Sequence, residues 1–124
     1  MGSLSLPGSG QVYLDANCVI YSVEKIAPYD SLLEPAWQAA ELGQIDLVSS
    51  ELVVLETLVK PLREKDDAME SLYRDLLLKS REVQLFTIGL NILERAARIR
   101  AETGIRTPDA IHAATGLEAG VAEF

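Results

Sequence analysis

The chain holds a single cysteine and a single histidine in 124 residues. Cys18 has no second thiol to pair with, so no intrachain disulfide forms, and a reducing cytoplasm is the expected location. Neither a cysteine pair nor a histidine cluster is present, which removes the donor sets zinc prefers. No apolar run is long enough to span a bilayer, so no membrane association is expected. Cations are also scarce: 11 Lys and Arg face 19 Asp and Glu, for a net charge of −8. Proteins that grip nucleic acid through its phosphates usually present a basic surface, so strong non-specific RNA binding is not expected. The acidic excess fits a solvated surface, acids gathered around a cation, or a cationic partner segment. There is no internal repeat, and Gly8-Ser9-Gly10 lacks the spacing of a phosphate-binding loop. Residues 1–10 read as a leader or cloning scar without the charged and apolar regions of a signal peptide.

What is there suits one domain over residues 11–124. Hydrophobic residues make up 48% and charged residues 24%, with mean hydropathy +0.14, which is globular composition. Val12-Tyr13-Leu14 predicts a buried strand ending at Asp15, followed by a short helix over 16–23. Pro28 breaks that helix, and Tyr29-Asp30-Ser31 offers a cap for a second over 32–42, closed by Gly43. Ile45–Val48 predicts the next strand, with Ser49 or Ser50 capping a helix from Glu51 until Pro61 disturbs it. Residues 66–80 carry Met69, Leu72, Tyr73, Leu76 and Leu77 at helical spacing. Val83–Phe86 predicts a third strand, 90–102 a helix ended by Gly104, and Thr107 caps a last helix with Pro108 at its first position. Strands alternating with helices imply a three-layer α/β arrangement with a central parallel sheet. Sites in such sheets gather at the carboxyl ends of the strands.

Three carboxylates stand out. Asp15 falls where the first strand must leave the sheet; it serves there as a turn or capping residue, or as a chemical one. Glu56 shares a helical face with Leu52, Leu55 and Val59, and that face is expected to point inward. A buried, ionised carboxylate without compensation costs several kcal/mol or more, so Glu56 needs a partner such as an arginine, a proton or a metal. Asp109 stands in the first turn of its helix, where acids are favoured electrostatically. The small residues Ala110, Ala113, Ala114 and Gly116 let that helix approach the sheet and bring Asp109 inward. Acids drawn from the start, middle and end of a chain form the oxygen-rich set that Mg²⁺ or Mn²⁺ requires.

His112, one turn after Asp109, reads either as a core histidine bonding a backbone carbonyl or as an aid to metal-ligand positioning. Trp37 reads as packing rather than a base-stacking platform. Arg95, Arg98 and Arg100 read as a solvated helix face more readily than a phosphate contact. A haloacid-dehalogenase-type phosphatase needs a second aspartate where this chain has Asn17. A receiver domain needs paired acids after its first strand and a late lysine, whereas the last lysine here is Lys79.

The segments Val12-Tyr13-Leu14-Asp15-Ala16-Asn17 and Ser49-Ser50-Glu51-Leu52-Val53-Val54-Leu55-Glu56 resemble the first two acid-bearing segments of the PIN-domain family. Arg106-Thr107-Pro108-Asp109-Ala110-Ile111-His112-Ala113-Ala114 resembles the third. Within that family the likeness is to VapC-like toxins of toxin–antitoxin pairs. The resemblance implies a PIN-like α/β/α fold and an acidic pocket for Mg²⁺ or Mn²⁺ formed by Asp15, Glu56 and Asp109. It also implies endoribonuclease activity, a homodimer, and inhibition by a cognate antitoxin that enters the acidic groove. The family continues past a segment like Ala119–Phe124 into a further strand ending in a fourth acid. The chain stops at Phe124, so the fold is expected to lack its last strand and to show impaired metal affinity and weak or absent nuclease activity. The rival expectation is a catalytically silent PIN-like module that binds a partner or dimerises.

Overall fold

Residues 10–120 are described by the structure, a computed structural model. The leader assigned to residues 1–10 lies outside the described residues except for Gly10, as do residues 121–124. Three strands, β1 (Gln11–Tyr13), β2 (Asp46–Ser50) and β3 (Val83–Phe86), pair in parallel in the order β1-β2-β3. The register sets Val12 beside Leu47 and Leu47 beside Val83, with Tyr13 beside Val48 one step on. Successive strand residues point to opposite faces, so Val12, Leu47 and Val83 cover one face while Tyr13 and Val48 cover the other. Both sets are buried.

On the first face lie α1 (Ala16–Val23), α2 (Tyr29–Glu41), α3 (Leu52–Glu64) and α4 (Asp67–Arg74). Their Val19, Ala36, Val53, Leu58 and Tyr73 form one core with the strand residues. Burying each large aliphatic side chain there contributes roughly 1.5–3 kcal/mol. On the second face α6 (Thr107–Ala119) crosses β2, backed by α5 (Leu90–Thr103). Ala110 and Ala114 are fully covered and Gly116 is buried, and these small residues are what allow α6 its close approach. The architecture is therefore the expected three-layer α/β/α sandwich around a parallel sheet.

Several boundaries differ from those read off the sequence. The second helix begins at Tyr29 rather than Leu32, absorbing the three residues expected to cap it. Strand β2 runs on through Ser49 and Ser50. It does so by pairing with β3, Ser49 beside Leu85 and Ser50 beside Phe86. The buried Ser49 hydroxyl donates to the Leu14 carbonyl at 2.6 Å, and Ser50 Oγ still accepts from the Leu52 N–H at 3.0 Å, as expected of a cap. Helix α3 continues three residues past Pro61; Pro61 is itself buried against the core, which offsets the backbone bond its ring removes. The helix expected over 66–80 widens into a π-turn at Asp75–Lys79. Thr107 is the first residue of α6 rather than its cap.

Candidate active site at the carboxyl edge of the sheet

Asp15 stands where the sequence suggested. Pairing with β2 persists through Leu14, whose N–H donates to the Val48 carbonyl at 2.9 Å, and the chain then turns out of the sheet. Asp15 is half-buried and N-caps α1, its Oδ1 accepting from the Cys18 N–H at 3.0 Å. Burial, with the neighbouring Asp15 carboxylate adding to it, pushes the Cys18 thiol up to about 12.

Glu56 corrects the sequence reading of α3. The face through Leu55 and Val59 is not the inward one, since these side chains are 61% and 42% exposed. The buried stripe is Val53, Thr57, Leu58 and Pro61. Aliphatic residues occupy so many positions of this helix that more than one face satisfies a 3.6-residue period, and the true one is disguised by a threonine and a proline. Glu56 borders that stripe with its side chain 25% exposed. Its Oε1 lies 2.6 Å from Nε2 of His112. The expected partner is present, and it is an imidazole rather than an arginine.

His112 is buried on the sheet-facing side of α6, and it does not bond a backbone carbonyl. Its Nδ1 lies 2.6 Å from the Tyr13 hydroxyl, with the two rings edge to face. Burial raises the Tyr13 phenol well above its usual pKa; the Glu56 charge adds to this, while Ser49, Thr115 and the Ser50 backbone oppose it. The phenol therefore stays protonated, and in the neutral imidazole tautomer that suits both contacts its O–H is donated to Nδ1. That assignment leaves the imidazole proton on Nε2, from which it is donated to the Glu56 carboxylate. One hydrogen-bonded line thus joins β1, α6 and α3.

Asp109 does not turn inward. Its Oδ2 accepts from the Arg106 Nε at 3.2 Å, with the two side chains 52% and 85% exposed. It sits on the first turn of α6, ahead of the point where Ala110 and Ile111 meet the protein interior. The loop before it is fastened by Arg100, whose Nε donates to the Ile105 carbonyl at 2.8 Å. Gly104 supplies the left-handed residue (φ 74°) that ends α5 there.

The three acids therefore come from the end of β1, the second turn of α3 and the first turn of α6. His112 bonds the first of these elements through Tyr13 and the second through Glu56. An all-carboxylate donor set suits a hard cation such as Mg²⁺ or Mn²⁺, so the donor chemistry fits. The side chains do not close into a cage: among the described residues no group of three His, Cys, Asp or Glu could hold a metal ion. Tyr13, Ser49 and Thr115 had no place in the sequence reading of the site. The available signal was Tyr13 itself, since a tyrosine buried on a central strand needs a hydroxyl partner.

Trp37 donates from Nε1 to the Ser22 hydroxyl at 2.8 Å and packs against the core, as expected. Arg95 and Arg98 pair with Glu118 and Glu94 on an exposed face. Among the described residues no helix is long and apolar enough to cross a membrane.

An α/β/α sandwich with acids toward the carboxyl edge of its sheet places chemistry where open sheets usually do. The PIN domain profile matches residues 12–124, and the chain belongs to the PIN-domain family. PIN domains are nucleases and generally use divalent metal ions. The structure is similar to a toxin–antitoxin complex from Klebsiella pneumoniae, with TM-score 0.66 and 23% identity over 90% of this chain and 82% of that one. It is also similar to VapBC2 from Rickettsia felis, solved with a DNA fragment from its promoter. There the TM-score is 0.67 and identity 14%, over 93% of this chain and 85% of the other. Likeness at such identities establishes the shared fold. A search of curated protein sequences finds no match.

Proposed function

We propose that the chain is a Mg²⁺- or Mn²⁺-dependent endoribonuclease, the toxin of a toxin–antitoxin pair. Residues 11–124 form its single domain, and Asp15, Glu56 and Asp109 are its metal-holding and catalytic carboxylates. The observation that carries this reading is Glu56, a three-quarters-buried carboxylate bonded to His112 on the helix that follows β2. It is supported by the family membership and by neighbours that are themselves toxin–antitoxin complexes.

Asp15, Glu56 and Asp109 would hold the divalent cation, which when bound would supply water activation and charge neutralisation at the scissile phosphate. The chain's own residues prepare for that. Asp15 is held by its cap bond through Oδ1 and Glu56 by His112 through Oε1. Asp109 must exchange its exposed Arg106 contact to join them, and the freed guanidinium is suited to a phosphate of the RNA. With a net charge of −8, the protein complements an antitoxin segment that brings a basic residue to this edge. A homodimer in the cytoplasm completes the proposal.

The test is cleavage of labelled RNA with protein in excess, so that slow turnover is still read, in Mg²⁺ or Mn²⁺ and in EDTA. Internal cuts that require the metal and disappear in Glu56→Gln are expected. Cleavage indifferent to EDTA or to that substitution overturns the proposal. The Asp109–Arg106 pair favours a second reading, a catalytically silent module for partner binding or dimerisation. Absence of both cleavage and Mn²⁺ binding selects it.

A further inference from the structure

We propose that His112, anchored by Tyr13, is a positioning residue that fixes the Glu56 carboxylate for cation binding. This deepens the metal-dependent reading and rests on it. Tyr13, His112 and Glu56 come from three elements, and two 2.6 Å hydrogen bonds connect them. A glutamate on a helix surface samples several rotamers at little cost. Here Oε1 is tied to an imidazole that is 6% exposed, and that imidazole is itself tied to a buried phenol on the central sheet. Glu56 thereby inherits the rigidity of β1 rather than that of its own helix.

The line is continuous with the buried polar groups around it: Ser49 and Thr115, which also act on the Tyr13 hydroxyl, donate to the Leu14 and Ile111 carbonyls. An apolar residue at 112 would leave the Glu56 carboxylate without its donor while leaving Ala110 and Ala114 to hold α6 on the sheet. Groups that orient ligating side chains in this way typically change metal affinity about 10–100-fold when removed.

The experiment is a Mn²⁺ titration, following free Mn²⁺ by electron paramagnetic resonance, on wild type, His112→Leu, His112→Gln and Tyr13→Phe. Urea unfolding without metal reports stability separately. His112→Leu is expected to weaken Mn²⁺ binding about 10–100-fold, and His112→Gln, whose amide can donate to Glu56, to recover most of that loss. Tyr13→Phe removes the anchor without touching the imidazole, and a several-fold loss is expected; it decides the matter if His112→Leu does not fold. The proposal is overturned if the folded variants bind Mn²⁺ like wild type and only their urea midpoints fall. It is also overturned if glutamine at 112 is no better than leucine at equal stability. Wild-type protein that binds no Mn²⁺ overturns the metal reading itself, a result distinct from either.

Discussion

Replacing Asp15 separates its capping role from the proposed role as a cation ligand. As the cap of α1, the carboxylate accepts one backbone N–H at 3.0 Å. Asp15→Ala removes that acceptor and is expected to cost about 1 kcal/mol, or roughly 4 °C in Tm for a domain of this size. Asp15→Asn keeps an oxygen in the same place and loses only the charge at the helix N-terminus, a cost of about 0.5 kcal/mol. In its proposed second role the carboxylate binds a cation, and asparagine, which lacks the charge, should lose most of that affinity. Binding to the folded state alone stabilises by RT ln(1 + [L]/Kd), about 2.7 kcal/mol at a hundredfold excess over Kd. Urea unfolding of the three proteins in EDTA and in Mn²⁺ reads both roles. In EDTA the order of stability should be wild type, asparagine, alanine; in Mn²⁺ only wild type should gain substantially. Asparagine gaining as much from Mn²⁺ as wild type would refute the ligand role. Equal losses for asparagine and alanine in EDTA would refute the cap.

The orientation of α3 is checked by a pair of substitutions. Val53→Ala, at a fully buried position, should cost about 2 kcal/mol in urea unfolding, whereas Leu55→Ala, 61% exposed, should stay within about 0.5 kcal/mol. The reverse order would restore the face first read from the sequence. Cys18 should resist alkylation: a thiol raised from 9.0 to about 12 holds about a thousandfold less thiolate at pH 8. Iodoacetamide modification, slow in the native protein and fast in urea, checks this. The same shift works against the fold in alkali. The unfolded thiol gives up its proton near pH 9 while the folded one keeps it, so the stability present below pH 9 should decline as pH rises toward 12.

Much of the architecture was legible because the strands are short apolar runs set between helices, and because Asp15 follows the last paired residue of the β1 segment, Leu14. Glycine and proline marked several turns correctly, as at Gly104. Pro61 misled, since the residue that should interrupt a helix is also one the core buries. Glu56 was singled out for a sound reason, the cost of covering a carboxylate, although the face assigned to it was displaced. Its true partner was out of reach of pattern reasoning: 56 residues separate Glu56 from His112 and 99 separate His112 from Tyr13. Only the crossing of α6 over the sheet brings them together. Asp109 shows the opposite limit. Small neighbours did bring α6 close, but burial begins at Ala110, one residue on, and Asp109 stays exposed beside Arg106.

The most direct test is a crystal structure of the protein soaked in Mn²⁺, with anomalous scattering locating the ion. A single peak about 2.0–2.2 Å from carboxylate oxygens of Asp15 and Glu56, with Asp109 released from Arg106 and turned toward it, is the predicted result. A peak remote from Glu56, or no peak beside an unchanged Glu56–His112 pair at saturating Mn²⁺, would contradict it.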